Sequence, residues 1–274
     1  MSFLSGGVAV VTGAGSGIGR ALAQRLAEAG SALAIADVDE AGLEQTAQWI
    51  GSRKALVTTH VVNVAEEAGV SAFAEEVSKK HGRVTLLINN AGVAMEGMFE
   101  EISLEDFRWL MNINFWGVVY GAKFFLPMLK REQHAHIVNI SSLYGLIAPP
   151  GQAAYSSSKF AVRGFTECLR HEFAETSVRV SCVHPAGIRT AIARRARVGA
   201  GVRRTDVEEK IARFEKFFRI TPEEAAARIL RGVERSEPRI LIGSDAYKID
   251  ILQRLRPGTY WKALSRKYKE LTRD

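Results

Sequence analysis

The sequence predicts an α/β fold: a doubly wound parallel sheet of about seven strands with helices on both faces. Three observations predict it. Short apolar runs of strand length alternate with longer amphipathic segments, and repeated βα alternation closes into a parallel sheet with right-handed crossovers. The first apolar run passes straight into a glycine-rich turn and a helix. Small polar residues stand at the strand ends, at Thr12, Asp37, Asn90, Ser142 and Pro185, and a parallel sheet gathers such ends along one edge.

The first strand is Val8-Ala9-Val10-Val11, a continuous apolar run suited to a buried parallel position. Thr12-Gly13-Ala14-Gly15-Ser16-Gly17-Ile18-Gly19 follows, then a helical pattern from Arg20 to Ala29 with Leu22, Leu26 and Ala29 on one face. Glycines let a backbone approach a pyrophosphate, and a helix N-terminus presents unpaired N–H groups. In this strand–turn–helix setting the pattern points to a dinucleotide site. The second strand, Ala32-Leu33-Ala34-Ile35-Ala36, ends at Asp37. A carboxylate about 20 residues beyond the glycine loop can bind both ribose hydroxyls of NAD and would repel the 2′-phosphate of NADP. Neither Ser16 nor Val38 brings a cation to offset it. Asp37 could instead cap the helix that begins near Glu40, a role equally open to Asp39.

The alternation continues with a helix over 39–51, a strand over 55–62 and a helix over 66–81. Val84–Ile88 is the next strand and ends in Asn89-Asn90-Ala91-Gly92. A long helical pattern over 104–131 carries Asn112 and Asn114 among apolar residues, and a buried Asn needs hydrogen-bond partners. Ile137–Ile140 is a strand ending in Ser141-Ser142. A helix over 153–176 leads to the strand Val178–Val183, which ends at His184-Pro185-Ala186-Gly187. Thr221-Pro222-Glu223-Glu224 is a helix start, with Thr221 as N-cap, Pro222 at N1 and Glu224 at N3. Arg239–Gly243 reads as a seventh strand near the sheet edge, and 245–256 as a helix stopped by Pro257-Gly258.

At the start of the 153–176 helix, Tyr155 and Lys159 are four residues apart and share a face. A phenol titrates near 10, and an adjacent cation can lower that by about 1–3 units, so the pair could exchange a proton with an alcohol or a ketone. The spacing also arises by chance on amphipathic helices.

At 274 residues and 47% hydrophobic, the chain can bury a substantial core. It has no run of about 18 apolar residues to cross a membrane and no signal-peptide pattern, so a cytoplasmic protein is expected. Cys168 and Cys182 lie in apolar periodic segments and read as reduced core residues; nothing implies a metal. The net charge of +7 is concentrated late. Residues 189–219 hold ten Lys/Arg against four Asp/Glu, and 247–274 hold eight against three. These segments could meet an anionic partner or be solvated helix faces.

Taken together, the chain resembles a classical short-chain dehydrogenase/reductase from about residue 6 to residue 245. The likeness rests on Thr12–Gly19 as TGxxxGxG, Asn89–Gly92 as NNAG, Asn114, Ser142 thirteen residues before Tyr155 in YxxxK, and Pro185–Thr190 as a variant of PGxxxT. The resemblance implies one Rossmann-type domain over 1–246, including a substrate lid over about 188–219, followed by a basic extension over 247–274. It implies Tyr155 as acid/base, with Lys159 lowering its pKa and holding the nicotinamide ribose. Ser142 would bind the substrate oxygen, and Asn114 would hold a water in a relay towards Lys159. The cofactor would meet Gly13, Ser16, Gly17, Ile18 and Gly19, then Asp37, Asn63 and Val64. It would also meet Asn90, Ala91, Gly92, Pro185, Gly187, Ile188 and Thr190. Two departures stand out: Asn63 replaces a common Asp at the adenine contact, and Ala186 replaces a glycine. The family usually forms dimers or tetramers through its long helices, here 104–131 and 153–176.

Within 188–219, Phe214, Phe217 and Phe218 form one apolar face, either a lid over substrate or a surface docked on the core. Met95, Tyr144, Leu146 and Ile147 follow strand ends and could line the same pocket. An apolar wall predicts a bulky hydrophobic alcohol or ketone: steroid-like, retinoid-like or long-chain. In the tail, Trp261, Leu264 and Tyr268 give a docking face beside Arg266, Lys267 and Lys269, for the chain's own domain, a subunit or a membrane surface. The reading is an NAD-dependent alcohol dehydrogenase or ketone reductase. A catalytically silent NAD(H)-sensing protein is the second reading, although a sensor has no need of Tyr155, Lys159, Ser142 and Asn114 together. A nucleic-acid binder is the third, and the glycine loop argues against it.

Overall fold

The computed structural model of the chain describes residues 4–52, 55–202, 212 and 218–272, with side chains to Arg266 in the last helix. Seven parallel strands form one sheet in the order β3-β2-β1-β4-β6-β7-β9. They are β1 Val8–Thr12, β2 Ala32–Asp37, β3 Val57–Val61, β4 Leu86–Asn89, β6 Ala135–Ile140, β7 Val178–Pro185 and β9 Arg239–Ile242. The inner strands β1, β4 and β6 are buried along their whole length. Their near-unbroken runs of Val, Leu and Ile reflect that position, since helices cover both faces. β9 pairs with β7 alone and is one of the two edge strands, β3 being the other.

The helices are α1 Gly17–Glu28, α2 Glu40–Gly51, α3 Glu67–His81, α4 Leu104–Met111, α5 Gly117–Leu129, α6 Ala153–Glu172, α7 Pro222–Glu234, α8 Ser244–Leu255 and α9 Tyr260–Thr272. On one face Leu22, Leu26, Leu43 and Ile229 pack over β1 and β2. On the other, Phe73 of α3, Phe125 of α5 and Phe173 pack over β4 and β6. The phenyl rings of Phe73 and Phe125 meet edge to face, with centroids 5.2 Å apart. Thr221 caps α7 as expected, its hydroxyl accepting the Glu224 N–H while the Glu224 carboxylate accepts the Thr221 N–H. Among the described residues no helix is long and apolar enough to cross a membrane.

The structure corrects two expectations and adds one element. The helix expected over 104–131 is not continuous: a π-turn at Asn112–Trp116 separates α4 from α5. The wider turn carries Asn114 inward, where it is fully buried and bonds to both the N–H and the C=O of Val93. π-Turns of this kind are frequent at functional sites. Cys168 is exposed on α6, because the apolar stripe of that helix passes through Val162 and Thr166 instead; Cys182 is buried. A two-stranded parallel pair, β5 Met95–Glu96 with β8 Arg197–Val198, was not anticipated, since two-residue strands leave no periodic signal. Arg197 fastens this pair, with its guanidinium 2.9 Å from Asp106 and over the Trp109 ring at 3.7 Å.

Candidate active site

Because every strand of the main sheet is parallel, Thr12, Asp37, Asn89, Ile140 and Pro185 end along one edge. The strand order reverses between β1 and β4, and open α/β sheets bind ligands at such a point. Thr12 ties the loops together there. Its hydroxyl accepts the N–H groups of Asn90 at 3.0 Å and Ala91 at 3.1 Å. Asn90 Nδ2 donates to the carbonyls of Thr12 (2.9 Å) and Gly13 (3.1 Å), so its amide hydrogens are spent inside the protein. A Cβ at Gly13 would lie 2.8 Å from Asn90 Nδ2, and one at Gly19 only 2.0 Å from the Gly13 carbonyl oxygen. Close approach, as well as ligand access, therefore requires these glycines.

The residues of this loop fit a dinucleotide. Ser16 is the N-cap of α1, yet its side chain makes no capping bond. The first-turn N–H groups, including those of Ile18 and Gly19, have no intrahelical partner, which is the arrangement that takes a phosphate. Asp37 Oδ2 accepts the Gly15 N–H at 2.8 Å and Oδ1 the Asp39 N–H at 3.1 Å. Asp39 caps α2 by accepting the Gly42 N–H at 3.0 Å, so Asp37 is free of the capping role. Arg20 ties α1 to α2 beside this loop. Its guanidinium is held by the Gly15 carbonyl, the Gly42 carbonyl (3.3 Å), Gln45 (3.1 Å) and Thr46 (3.1 Å). Asn63 is exposed and closes a local turn, donating to Glu66 and accepting from the Ala65 N–H; Val64 is buried against Gly117.

At the ends of β6 and β7 the candidate chemical groups converge. Tyr155, Ser142 and Lys159 line one cavity of about 530 Å³. Burial pushes the Tyr155 phenol above its ordinary value of 10, and a hydrogen bond with Ser142 opposes that rise. The sequence reading expected Lys159 to bring this value down; in the structure desolvation dominates and the net direction is upward. Lys159 is 3% exposed, its ammonium donating to the Ile140 carbonyl at 3.1 Å and lying 5.7 Å from the centre of the Tyr155 ring. Burial lowers its pKa to about 8. The Asn114 Oδ1 accepts the Val93 N–H at 2.8 Å, and its Nδ2 also reaches Ser158 Oγ at 3.2 Å. A Cβ at Gly92 would lie 3.2 Å from Asn114 Oδ1 and 3.4 Å from Lys159 Nζ, so glycine keeps the gap between them open.

Gly92, Ile18, Pro185, Gly187, Ile188 and Thr190 line the same cavity. The Thr190 N–H donates to the Ile188 carbonyl at 2.8 Å. Its methyl group would stand 3.2 Å from a Cβ at Gly17, so the β7 loop rests on the glycine loop. The Ala186 methyl packs with Leu241 and Ala246, accounting for alanine at that position. Met95, Tyr144, Ile147 and Phe218 form apolar wall, with Phe218 lying across Gly187. Leu146 does not: it is fully buried beneath Leu241 and Ala246, because the turn after Ser142 points it at α8. Phe214 and Phe217, and much of the expected lid over 188–219, lie outside the described residues.

Sequence reasoning missed several wall residues. Gln152 Nε2 donates to Glu96 at 2.6 Å inside the cavity. Lys248 and Ile249 of α8 and Trp261 and Leu264 of α9 also face it. The apolar spacing of Trp261 and Leu264 signalled a docking face without saying what lay opposite.

The sequence marks His184 only as a strand end. It is 1% exposed, and its Nδ1–H donates to the Ser142 carbonyl at 3.0 Å, leaving Nε2 without a partner. Burial holds both His184 and His136 down at about 4. An unfolded histidine protonates near 6.5, so between pH 6.5 and 4 the unfolded chain binds protons that the folded chain does not. Stability is expected to fall with pH through that window, by up to ~3 kcal/mol for each histidine. Urea melts from pH 7 to 4.5 test this, with His136→Gln removing one share; a flat profile would count against it.

Comparison with known proteins gives a consistent result. A family model described as short chain dehydrogenase matches residues 7–200. Over 272 residues the chain is 44% identical to a protein named SadH and described as an oxidoreductase, from Mycobacterium tuberculosis, covering 97% of this chain and 96% of that one. It is 30% identical over 279 residues to dehydrogenase/reductase SDR family member 7B of Xenopus laevis, covering 99% and 85%. Among solved structures, a short chain dehydrogenase/reductase from Burkholderia phymatum in complex with NAD superposes with a TM-score of 0.86 at 32% identity, covering 94% of this chain and 96% of that one.

Proposed function

The chain belongs to the short-chain dehydrogenase family and is a nicotinamide-dependent oxidoreductase, and from that premise we propose that it is an NAD-dependent dehydrogenase or reductase of hydrophobic secondary alcohols and ketones. One observation carries the reading: Tyr155, Ser142 and the buried Lys159 ammonium line the same cavity.

When bound, the nicotinamide supplies the hydride acceptor or donor. The chain's own groups handle the proton and the geometry. Ser142 positions the substrate oxygen beside Tyr155, and the Tyr155 hydroxyl takes the alcohol proton in oxidation or returns one to the carbonyl oxygen in reduction. The Lys159 ammonium favours the phenolate whenever it forms, offsetting the burial that otherwise disfavours it. With one hydrogen bond to Ile140, Lys159 keeps donors for the ribose hydroxyls of the cofactor. Asn114 holds the Val93 backbone and Ser158, fixing the strand-β4 loop against α6.

Asp37 supports the preference for NAD. Its carboxylate is presented by the Gly15 N–H, and Arg20 is committed elsewhere. Asp37→Ser is expected to lower the ratio of kcat/KM with NAD to that with NADP by roughly 10–100-fold, through lost ribose bonds and relieved repulsion. Initial rates with both cofactors measure it, and an unchanged ratio would remove Asp37 from the selection. Trp116 and Phe160, exposed on the π-turn and α6, are surfaces through which two copies would associate. The test of the function is NADH formation across secondary alcohols of rising size. Tight NADH binding with no turnover of any alcohol or ketone would favour the sensing alternative.

A further inference from the structure

Helices α8 and α9 lie past the 7–200 stretch that the family model covers. They are nevertheless part of the cavity. Trp261 and Leu264, one turn apart on α9, and Ile249 on α8 face the same space as Tyr155 and Ser142. The helix is also fastened in place: the Tyr260 hydroxyl accepts the Ala148 N–H at 3.2 Å. Ala148 belongs to the segment between Ser142 and Tyr155, which also supplies Tyr144, Ile147 and Pro149 to the cavity. The last helix therefore does not hang free as a basic tail. It contributes to a cavity that Met95, Ile147 and Phe218 also line.

We propose that α9 is the specificity wall of this site, with Trp261 and Leu264 selecting substrates whose apolar body extends from the reacting carbon to that helix, and Tyr260 acting as the positioning residue that holds the wall. The proposal rests on the oxidoreductase reading above and names its substrate class: secondary alcohols or ketones bearing a long or bulky apolar group. Indole and isobutyl side chains offer such a group a dry surface, and a short alcohol would leave that surface unused. Contacts made only by the longer substrate separate the two in kcat/KM.

The experiment compares 2-butanol with 2-undecanol in wild type, Trp261→Ala, Leu264→Ala and Tyr260→Phe. Wild type should prefer 2-undecanol, and each variant should lower the preference about 10-fold or more. Tyr260→Phe keeps the ring and removes one hydrogen bond, so it tests positioning without opening a cavity. Circular dichroism melts and NADH titrations accompany each variant; a loss of preference that tracks loss of fold or of NADH affinity counts against the wall. A second readout is independent of turnover: quenching of tryptophan fluorescence by 2-undecanone, measured as the difference between wild type and Trp261→Phe. Equal losses on both alcohols, or no Trp261-dependent quenching, would overturn the proposal. Quenching that depends on Trp261 in a protein that oxidises none of the alcohols would uphold the wall and overturn the secondary-alcohol reading instead.

Discussion

Tyr155→Phe is expected to lower kcat for alcohol oxidation by about 10²–10⁴-fold, the range removed with a positioned acid/base. NADH affinity should stay within about twofold, since the ring and its packing remain. The ring of Tyr155 stands edge to face with Tyr144 at 6.1 Å between centroids, and phenylalanine can keep that contact. The lost group is the hydroxyl, which lines the cavity with Ser142. Because burial raises this phenol above 10, oxidation in the wild type should accelerate as pH rises, and reduction should be favoured at lower pH. The variant should show neither limb. Stopped-flow rates from pH 6 to 10 measure this; a variant retaining more than about a tenth of the rate would assign the proton transfer elsewhere.

Lys159→Met has the second-largest expected effect, and it separates activity from stability. Activity should fall about 10³-fold or more, through loss of cation support for the phenolate and of ribose contacts, with KM for NAD rising as well. The folded protein should not be weakened in proportion. Lys159 has its pKa lowered to about 8, whereas an unfolded lysine titrates near 10.4. Below pH 8 both states are protonated, and folding carries the full expense of burying an ammonium, on the order of 3 kcal/mol. Between pH 8 and about 10.4 only the unfolded chain keeps the proton, so that penalty fades and wild-type stability rises with pH. Methionine removes the penalty and leaves the Ile140 carbonyl unpaired, which returns about 1–3 kcal/mol. Thermal melts without cofactor at pH 7 should place the variant at or above wild type, with its advantage shrinking towards pH 10. A melting temperature several degrees lower would mean the ammonium is structural.

Much of this architecture was legible in the residues. Glycine spacing, strand-length apolar runs and polar strand ends are local signals, and the parallel sheet follows from them because the connections leave few topologies. Tyr155, Lys159, Ser142 and Asn114 could be read as a set for the same reason. What local pattern could not express was placement across the fold. The π-turn at Asn114 arises from tertiary bonds to Val93, and no periodicity announces it. Leu146 and Ile147 are neighbours with equal hydropathy, yet one is core and the other cavity wall, decided by a single 3₁₀ turn after Ser142. The direction of the Tyr155 shift depended on how tightly protein surrounds it, which the four-residue spacing to Lys159 does not contain. Trp261 met the site only because the chain returns across the Ala148 segment.

The hydrogen bond from Gly15 to Asp37 has an evolutionary consequence. The carboxylate proposed to select NAD is also a brace for the glycine loop, so on that reading the two traits cannot be altered independently. A lineage drifting towards the phosphorylated cofactor by losing Asp37 first would pass through an intermediate with a slackened loop and no new attraction. Arg20 cannot rescue it without abandoning the contacts that join α1 to α2. The accessible route begins next door, at Val38, which is 66% exposed and braces nothing. An arginine installed there while Asp37 still stands would be nearly neutral, and it would make the later loss of the acid permissible. Cofactor preference in this scaffold is therefore an epistatic character, and the order of substitutions, rather than their number, decides whether it can change.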